Sequence, residues 1–104
     1  MTLRQQQSKF AHMMALLILY AYEQGYEITF GDFWAHAEDG RHIQDSFHYK
    51  RLAADLNLFQ DGKYLSSTES HRLLGEFWES LGGSWGGRWE DGNHYSYGEG
   101  REVN

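Results

Sequence analysis

The stretch that decides the fold is residues 53–65, Ala-Ala-Asp-Leu-Asn-Leu-Phe-Gln-Asp-Gly-Lys-Tyr-Leu. Its first eight residues alternate, imperfectly, between apolar and polar side chains, as a half-buried strand does. Asp61-Gly62 is a favoured two-residue hairpin turn, because both residues tolerate positive φ. The pattern therefore predicts a β-hairpin with strands over 53–60 and 63–65.

Upstream of this hairpin, the sequence predicts one long helix and one short strand. Apolar residues recur at helical spacing between Ser8, a suitable N-cap, and Gly25, a suitable C-terminal stop. We expect a mostly buried helix over 8–24. Residues 27–30, Glu-Ile-Thr-Phe, have the composition of a strand.

Downstream of the hairpin, a second helix and a last strand are expected. Ser66 and Glu69 fit a capping box, and the apolar residues that follow keep helical spacing until Gly82-Gly83. This predicts a helix over 68–81. Aromatic residues within 94–97 predict a strand. Two main helices packed on a short antiparallel sheet make an α+β fold.

Length and composition indicate one domain over residues 1–104. A chain of 104 residues with 40% hydrophobic content can bury one compact core and is too short for two. Proline is absent and 23% of residues are charged, so no segment has the composition of a long disordered linker.

Composition also excludes several classes of function. Cysteine is absent, so disulfides, thiolate nucleophiles and thiolate zinc sites are excluded. A net charge of -6 argues against nucleic-acid binding. The apolar run over 13–21 is too short to span a membrane, and the N-terminus lacks the order of a signal peptide. We expect a soluble, cytoplasmic monomer.

Two segments contain residues suited to metal-dependent hydrolysis. One holds His48 and Asp55, and the other holds Asp91 and His94. Two imidazoles and a carboxylate fill three positions of a tetrahedral zinc site and leave the fourth for water. Asp91 lies three residues before His94 and is placed to act as a base. Spacing alone leaves open a second interpretation, in which these are surface histidines beside an ordinary Asp-Gly-Asn turn.

Both segments resemble the motifs of one enzyme family. Ser46-x-His48-x(6)-Asp55 resembles the Ser-x-His-x-x-Gly-x-Ala-x-Asp motif of the zinc D-alanyl-D-alanine carboxypeptidase and L-alanyl-D-glutamate endopeptidase family. Residues 85–95, Trp-Gly-Gly-Arg-Trp-Glu-Asp-Gly-Asn-His-Tyr, resemble that family's Trp-Gly-Gly-x-Trp and Asp-x-x-His-Phe motif. Two motifs in the right order are more specific than either alone, and the resemblance covers about residues 25–97.

The resemblance implies a fold and a catalytic site. The fold would be the small zinc D,D-peptidase fold, also called hedgehog/DD-peptidase-like. His48, Asp55 and His94 would bind Zn²⁺, and Asp91 would be the general base.

The resemblance also implies a function. The chain would be a zinc peptidase that cuts a peptidoglycan stem peptide, most specifically the L-alanyl-D-glutamate bond. It resembles compact single-domain endolysins of bacteriophages, without a separate wall-binding domain, which act on the cell wall after release from the host cytoplasm. The alternatives are a D-alanyl-D-alanine carboxypeptidase and a catalytically degenerate wall-binding relative.

Two departures from the family pattern concern the substrate. The motif glycine is Arg51 here, and Ala35 occupies the place where the family often has an arginine that binds substrate carboxylate. Arg41 and Arg51 are the candidates to replace that arginine. Ser46 is a candidate to hydrogen-bond a ligand histidine or the substrate, with a structural role in a loop as the alternative.

Two further functions remain as alternatives, and three further sets of residues outside the proposed ligands have expected roles. A glycan hydrolase would need two carboxylates and no metal, and a wall-binding module would need no zinc. Trp85 and Trp89 fit either a cleft or the core. Glu76 and Glu79 are expected to face solvent, and four histidines outside the motifs are expected to be surface groups or supports of a ligand: His12, His36, His42 and His71.

Overall fold

The computed structural model describes residues 1–32 and 50–98, which form an α+β fold with two α-helices and a small antiparallel sheet. In chain order the elements are α1 (Leu3–Glu23), β1 (Glu27–Phe30), β2 (Ala53–Gln60), β3 (Lys63–Leu65), a 3₁₀ turn (Glu69–His71), α2 (Arg72–Ser80), β4 (Ser84–Trp85), a second 3₁₀ turn (Gly86–Trp89) and β5 (His94–Ser96). Neither helix combines the length and apolarity that a bilayer crossing requires.

The hairpin prediction is confirmed residue for residue. β2 and β3 pair across Asp61 and Gly62, which have φ of 52° and 78°. Positive φ at both positions is what a tight hairpin turn requires, and glycine adopts it without strain. The strand predicted at 27–30 is also confirmed, as β1.

β2 is the central strand of the sheet, whose order is β1-β2-β5-β4. Residues 56–59 of β2 pair with β1, and residues 53–55 pair with β5. β3 pairs with the far end of β2, at residues 58–60. β2 therefore pairs directly with β1, β3 and β5, and β4 joins the sheet through β5.

The two faces of the sheet differ in chemistry. Leu56 and Leu58 are fully buried, whereas Asp55, Asn57 and Phe59 alternate with them and are half-buried. The strand register extends this second face to neighbouring strands. We call it the Asp55 face, and it includes Glu27, Thr29, Asp55, Asn57, Phe59, Tyr64 and His94.

The helices pack on the opposite face, around Trp78 of α2. Its ring makes edge contacts with Phe10 of α1 and Tyr95 of β5, at centroid distances of 5.7 and 6.0 Å. Its indole Nε1 donates a hydrogen bond to the carbonyl of Ser96, at 2.8 Å. One fully buried side chain thus fixes both helices against the strand that carries His94.

The first helix begins at Leu3, so the predicted start at residue 8 is wrong. Thr2 is the N-cap: its hydroxyl accepts a hydrogen bond from the Gln5 amide, and the Gln5 side chain accepts one from the Thr2 amide. This capping box satisfies two amide groups at the helix start, whereas Ser8 lies inside the helix and accepts from Arg4. The predicted C-terminal stop at Gly25 is confirmed, with φ of 88°.

The second helix is close to its predicted range but begins differently. Residues 69–71 form a 3₁₀ turn before α2, and the predicted capping box of Ser66 with Glu69 is wrong. The hydroxyl of Ser67 accepts the Ser70 amide hydrogen instead, and the Glu69 carboxylate binds Arg72. The helix ends before Gly82, which has φ of 95°.

Candidate functional site

Asp55 and His94 are direct cross-strand neighbours, although 39 residues separate them in the sequence. The pairing of β2 with β5 places both side chains on the Asp55 face. His94 Nδ1 lies 3.3 Å from Asp55 Oδ1, and the two side chains are 10% and 21% exposed. An imidazole and a carboxylate therefore converge at the sheet surface, with little exposure to solvent.

The chemistry and separation of this pair fit two ligands of one zinc ion. Two donor atoms bound to a tetrahedral zinc at about 2.0–2.1 Å lie roughly 3.3–3.4 Å apart. Within residues 1–32 and 50–98, no three side chains of His, Cys, Asp or Glu form a complete metal site. The third predicted ligand, His48, lies outside the described residues, as do Ser46 and Arg41.

Asp91 lies in the turn that leads into β5, and its backbone is held at both ends. Its amide donates to the Gly86 carbonyl at 2.9 Å, and its carbonyl accepts the His94 amide hydrogen at 3.1 Å. Asp91 is exposed, and in the described part of the chain its carboxylate makes no hydrogen bond or ion pair. The Asp91 carboxylate is therefore open to solvent, on a turn whose backbone is fixed to the segment that carries His94.

The glycines of the second motif are required by close packing. A Cβ atom on Gly86 would lie 2.2 Å from the Asp91 carbonyl oxygen and 2.8 Å from His94 Cβ. A Cβ on Gly87, or on Gly75 of the neighbouring helix α2, would lie 2.1 Å from the ring of Trp85. Only glycine lets the turn with Asp91 and His94 approach the rest of the fold this closely.

Trp85 and Trp89 have different roles. Trp85 is buried in the core, and its Nε1 donates to the Gly92 carbonyl at 2.8 Å. Trp89 is 49% exposed, and its ring centroid lies 6.1 Å from that of His94. Trp85 therefore fixes the turn, and Trp89 borders the Asp55–His94 pair.

Glu79 of α2 is engaged in an ion pair. Its carboxylate accepts two hydrogen bonds from Arg88, at 2.7 and 2.8 Å. The hydrogen bond from Arg88 lowers the pKa of the Glu79 carboxyl. The Glu79 carboxylate is thus bound by Arg88 of the second motif and is a poor alternative to Asp91 as a base.

Arg51 occupies the position of the motif glycine and keeps the backbone conformation that glycine favours. Its φ is 59°, in the left-handed region, which costs a non-glycine residue about 1–2 kcal/mol. The departure from the motif therefore adds an exposed cationic side chain without redirecting the chain before β2.

His71 belongs to the core, which the sequence analysis missed. It is 2% exposed, and its Nδ1 lies 2.9 Å from the hydroxyl of Tyr95, the residue after His94. Burial lowers the pKa of the His71 imidazole to about 4 and raises the pKa of the Tyr95 hydroxyl. A neutral imidazole and a neutral hydroxyl therefore share this hydrogen bond. The sequence did contain a signal for this burial, because His71, Leu74 and Trp78 recur at helical spacing and so share one face.

We expect this histidine to make the fold sensitive to mild acid. The unfolded chain protonates His71 below about pH 6.5, but the folded chain does so only near pH 4. Its contribution to stability is therefore complete above about pH 6.5 and is lost as the pH falls toward 4, a loss of about 3 kcal/mol. The measurement is denaturant unfolding of the metal-free protein between pH 4 and 7, compared with His71→Gln.

The variant removes the titrating group, so its stability should fall less steeply over this range than that of the wild type. Exposed His12→Gln is the matched control and should follow the wild type. Equal pH dependence in the wild type and His71→Gln would show that the fold does not depend on a neutral His71.

Comparison with known proteins identifies one family. The family model described as D-alanyl-D-alanine carboxypeptidase matches residues 39–97, more than half of the chain. No curated protein matches the sequence. The matched range contains both sequence motifs and therefore the four residues predicted to carry the chemistry: His48, Asp55, Asp91 and His94.

Proposed function

The chain belongs to the D-alanyl-D-alanine carboxypeptidase family, and from this membership we propose that it is a zinc peptidase that hydrolyses a stem-peptide bond of peptidoglycan. The observation that carries the proposal is the Asp55–His94 pair, whose donor atoms lie 3.3 Å apart. The family assignment supports a peptidase acting on peptidoglycan-like substrates. The motif resemblance supports the L-alanyl-D-glutamate bond and the role of a phage endolysin.

We propose that His48, Asp55 and His94 hold the zinc. When bound there, zinc would polarise the scissile carbonyl and lower the pKa of a water molecule toward neutrality. Asp91 accepts a proton from the attacking water and returns it to the leaving amine, because its carboxylate is exposed and its backbone is fixed next to His94.

Three further residues are proposed to bind substrate. Arg41 and Arg51 supply positive charge for a substrate carboxylate, and Ser46 supplies a hydroxyl group close in sequence to His48. Arg51 directly precedes the segment that leads into β2, which carries Asp55. Arg51 therefore places a positive charge close to the start of the strand that carries Asp55, a proposed zinc ligand.

The rival functions make different predictions about metal. A glycan hydrolase needs two carboxylates about 5–10 Å apart and no metal. Asp55 instead has an imidazole as its strand neighbour, and this pairing favours metal binding. A wall-binding module would keep its affinity for peptidoglycan after zinc is removed.

The test is mass spectrometry of the fragments that the protein releases from purified peptidoglycan, with and without a chelator. We expect peptides with a new amino terminus at D-glutamate, and their loss when zinc is removed. Restoring zinc should restore the products, which controls for damage by the chelator. Sugar fragments that persist with chelator would support a glycan hydrolase, and binding without fragments would support a wall-binding module.

A further inference from the structure

The Asp55 face continues beyond the proposed metal site along β2. Asn57 comes next, and its Nδ2 donates to the Thr29 hydroxyl of β1 at 3.2 Å. Phe59 follows, opposite Tyr64 of β3, with ring centroids 5.3 Å apart and planes inclined by 45°. An amide–hydroxyl pair and then an aromatic pair thus follow Asp55 on one face. We call these four residues the shelf: Thr29, Asn57, Phe59 and Tyr64.

The aromatic end of the shelf is accessible. Tyr64 is 56% exposed, and Phe59 is half-buried. A cavity of about 230 Å³ adjoins this end, lined by Phe59 and Thr29 of the shelf together with Tyr22, Glu27, Ile28 and Gly62. It is smaller than the roughly 300–1,000 Å³ of pockets for drug-sized ligands. Its size suits one ring or one substituent of a larger ligand that lies across the surface.

The shelf is continuous with the proposed metal site. Four strand residues at about 3.4 Å each separate Asp55 from Phe59 by roughly 13–14 Å. A long substrate that reaches the Asp55–His94 pair can therefore contact the shelf without leaving the sheet surface. The continuity would allow one extended substrate to contact both.

We propose that the shelf is a subsite for the glycan strand to which the stem peptide is attached, an inference that rests on the proposed function. A sugar ring has apolar C–H faces and a polar edge of hydroxyl and amide groups. Phe59 and Tyr64 offer aromatic surface to the faces, and Asn57 and Thr29 offer hydrogen bonds to the edge.

The negative charge of Glu27 near the shelf indicates which class of glycan the shelf would bind. Glu27 lies opposite Phe59 in the β1–β2 register and lines the adjoining cavity. The chain as a whole carries a net charge of -6. A carboxylate at this place repels anionic wall polymers and accepts hydrogen bonds from neutral amino sugars. The expected ligand is therefore a neutral chain of N-acetylated amino sugars.

The first test compares two substrates of the zinc-loaded enzyme, intact peptidoglycan and a free stem peptide without sugar. Tyr64→Ala should lower kcat/KM on peptidoglycan by about three- to ten-fold, the scale of an aromatic contact. Hydrolysis of the free peptide should be unchanged. Asn57→Ala should act in the same direction. Leu19→Ala on α1, which removes an equally exposed apolar side chain away from the shelf, should change neither rate.

Equal loss on both substrates would mean that the shelf binds peptide, and the glycan assignment would be wrong. Unchanged rates on both substrates would also overturn it.

The second test does not need activity and so separates this inference from the proposed function. Tetra-N-acetylchitotetraose is titrated into the wild type and Tyr64→Ala, and backbone amide shifts are followed by NMR. The wild type should show shifts concentrated in residues 27–30 and 57–64, and these should be strongly reduced in Tyr64→Ala. If neither substrate is cleaved but these shifts occur, the subsite stands and the peptidase proposal fails. Shifts absent from both segments would overturn the subsite.

Discussion

An Asp91→Asn variant should keep its zinc and its fold while kcat for stem-peptide hydrolysis falls by about 100-fold or more. Asparagine preserves the size and hydrogen-bonding reach of the side chain but has no basic oxygen to take a proton. The backbone bonds of Asp91 to Gly86 and His94 do not involve the carboxylate, so the turn should persist. Zinc content by elemental analysis and kcat on a defined stem peptide are the two measurements.

Asp61→Asn is the matched control, because it makes the same chemical change in the exposed β2–β3 turn. It should leave both zinc and kcat unaltered. Loss of zinc together with activity in Asp91→Asn would make Asp91 a ligand. Near-normal hydrolysis by the zinc-loaded variant would refute its role as base and move attention to Glu90, since Glu79 is already bound by Arg88.

A His94→Ala variant should lose its metal, and activity with it. Removing a group that merely supports a ligand weakens metal binding by 10- to 100-fold, so removal of a direct ligand should weaken it by more than about 100-fold. The expected measurements are zinc stoichiometry near zero after dialysis and hydrolysis below the detection limit. The same result is expected for Asp55→Ala and for His48→Ala.

The fold must be monitored in the same samples, because His94 is buried within β5. Far-UV circular dichroism of the metal-free wild type is the reference for each variant. His12→Ala, at an exposed position of α1, is the matched control and should retain one zinc per chain. Full zinc occupancy in a folded His94→Ala protein would rule out the proposed ligand set.

The elements that sequence predicted best are those determined by neighbouring residues. Asp61-Gly62 determines its own turn, and the strands on both sides follow from it, so the hairpin bounds were predicted without error. Helix starts were predicted less well, because several residues compete to cap the same helix. Thr2 with Gln5, and not Ser8, caps α1. The second helix has no side-chain cap, and the Ser67 hydroxyl accepts from the Ser70 amide ahead of it.

The candidate site depends on contacts that local pattern does not contain. The sequence separation of Asp55 and His94 does not predict that they face each other. The pairing register of β2 with β5 places them opposite each other. The resemblance to the family motifs predicted that both residues belong to one site. His71 was predicted to be a surface or supporting group because it belongs to no motif. Its helical spacing to Leu74 and Trp78 would have predicted that it is buried in the core.

The central position of β2 also sets an order of assembly during folding. Its pairing with β3 closes a two-residue turn, whereas its pairing with β5 joins residues 39 positions apart. Closing the longer loop has the higher entropic cost, so local hairpins form within microseconds and distant strand pairs form later. We therefore expect the Asp55–His94 pair to form after the β2–β3 hairpin. On this expectation a newly synthesised chain would acquire its proposed metal affinity late in folding, because forms without the β2–β5 pairing do not bring Asp55 and His94 together.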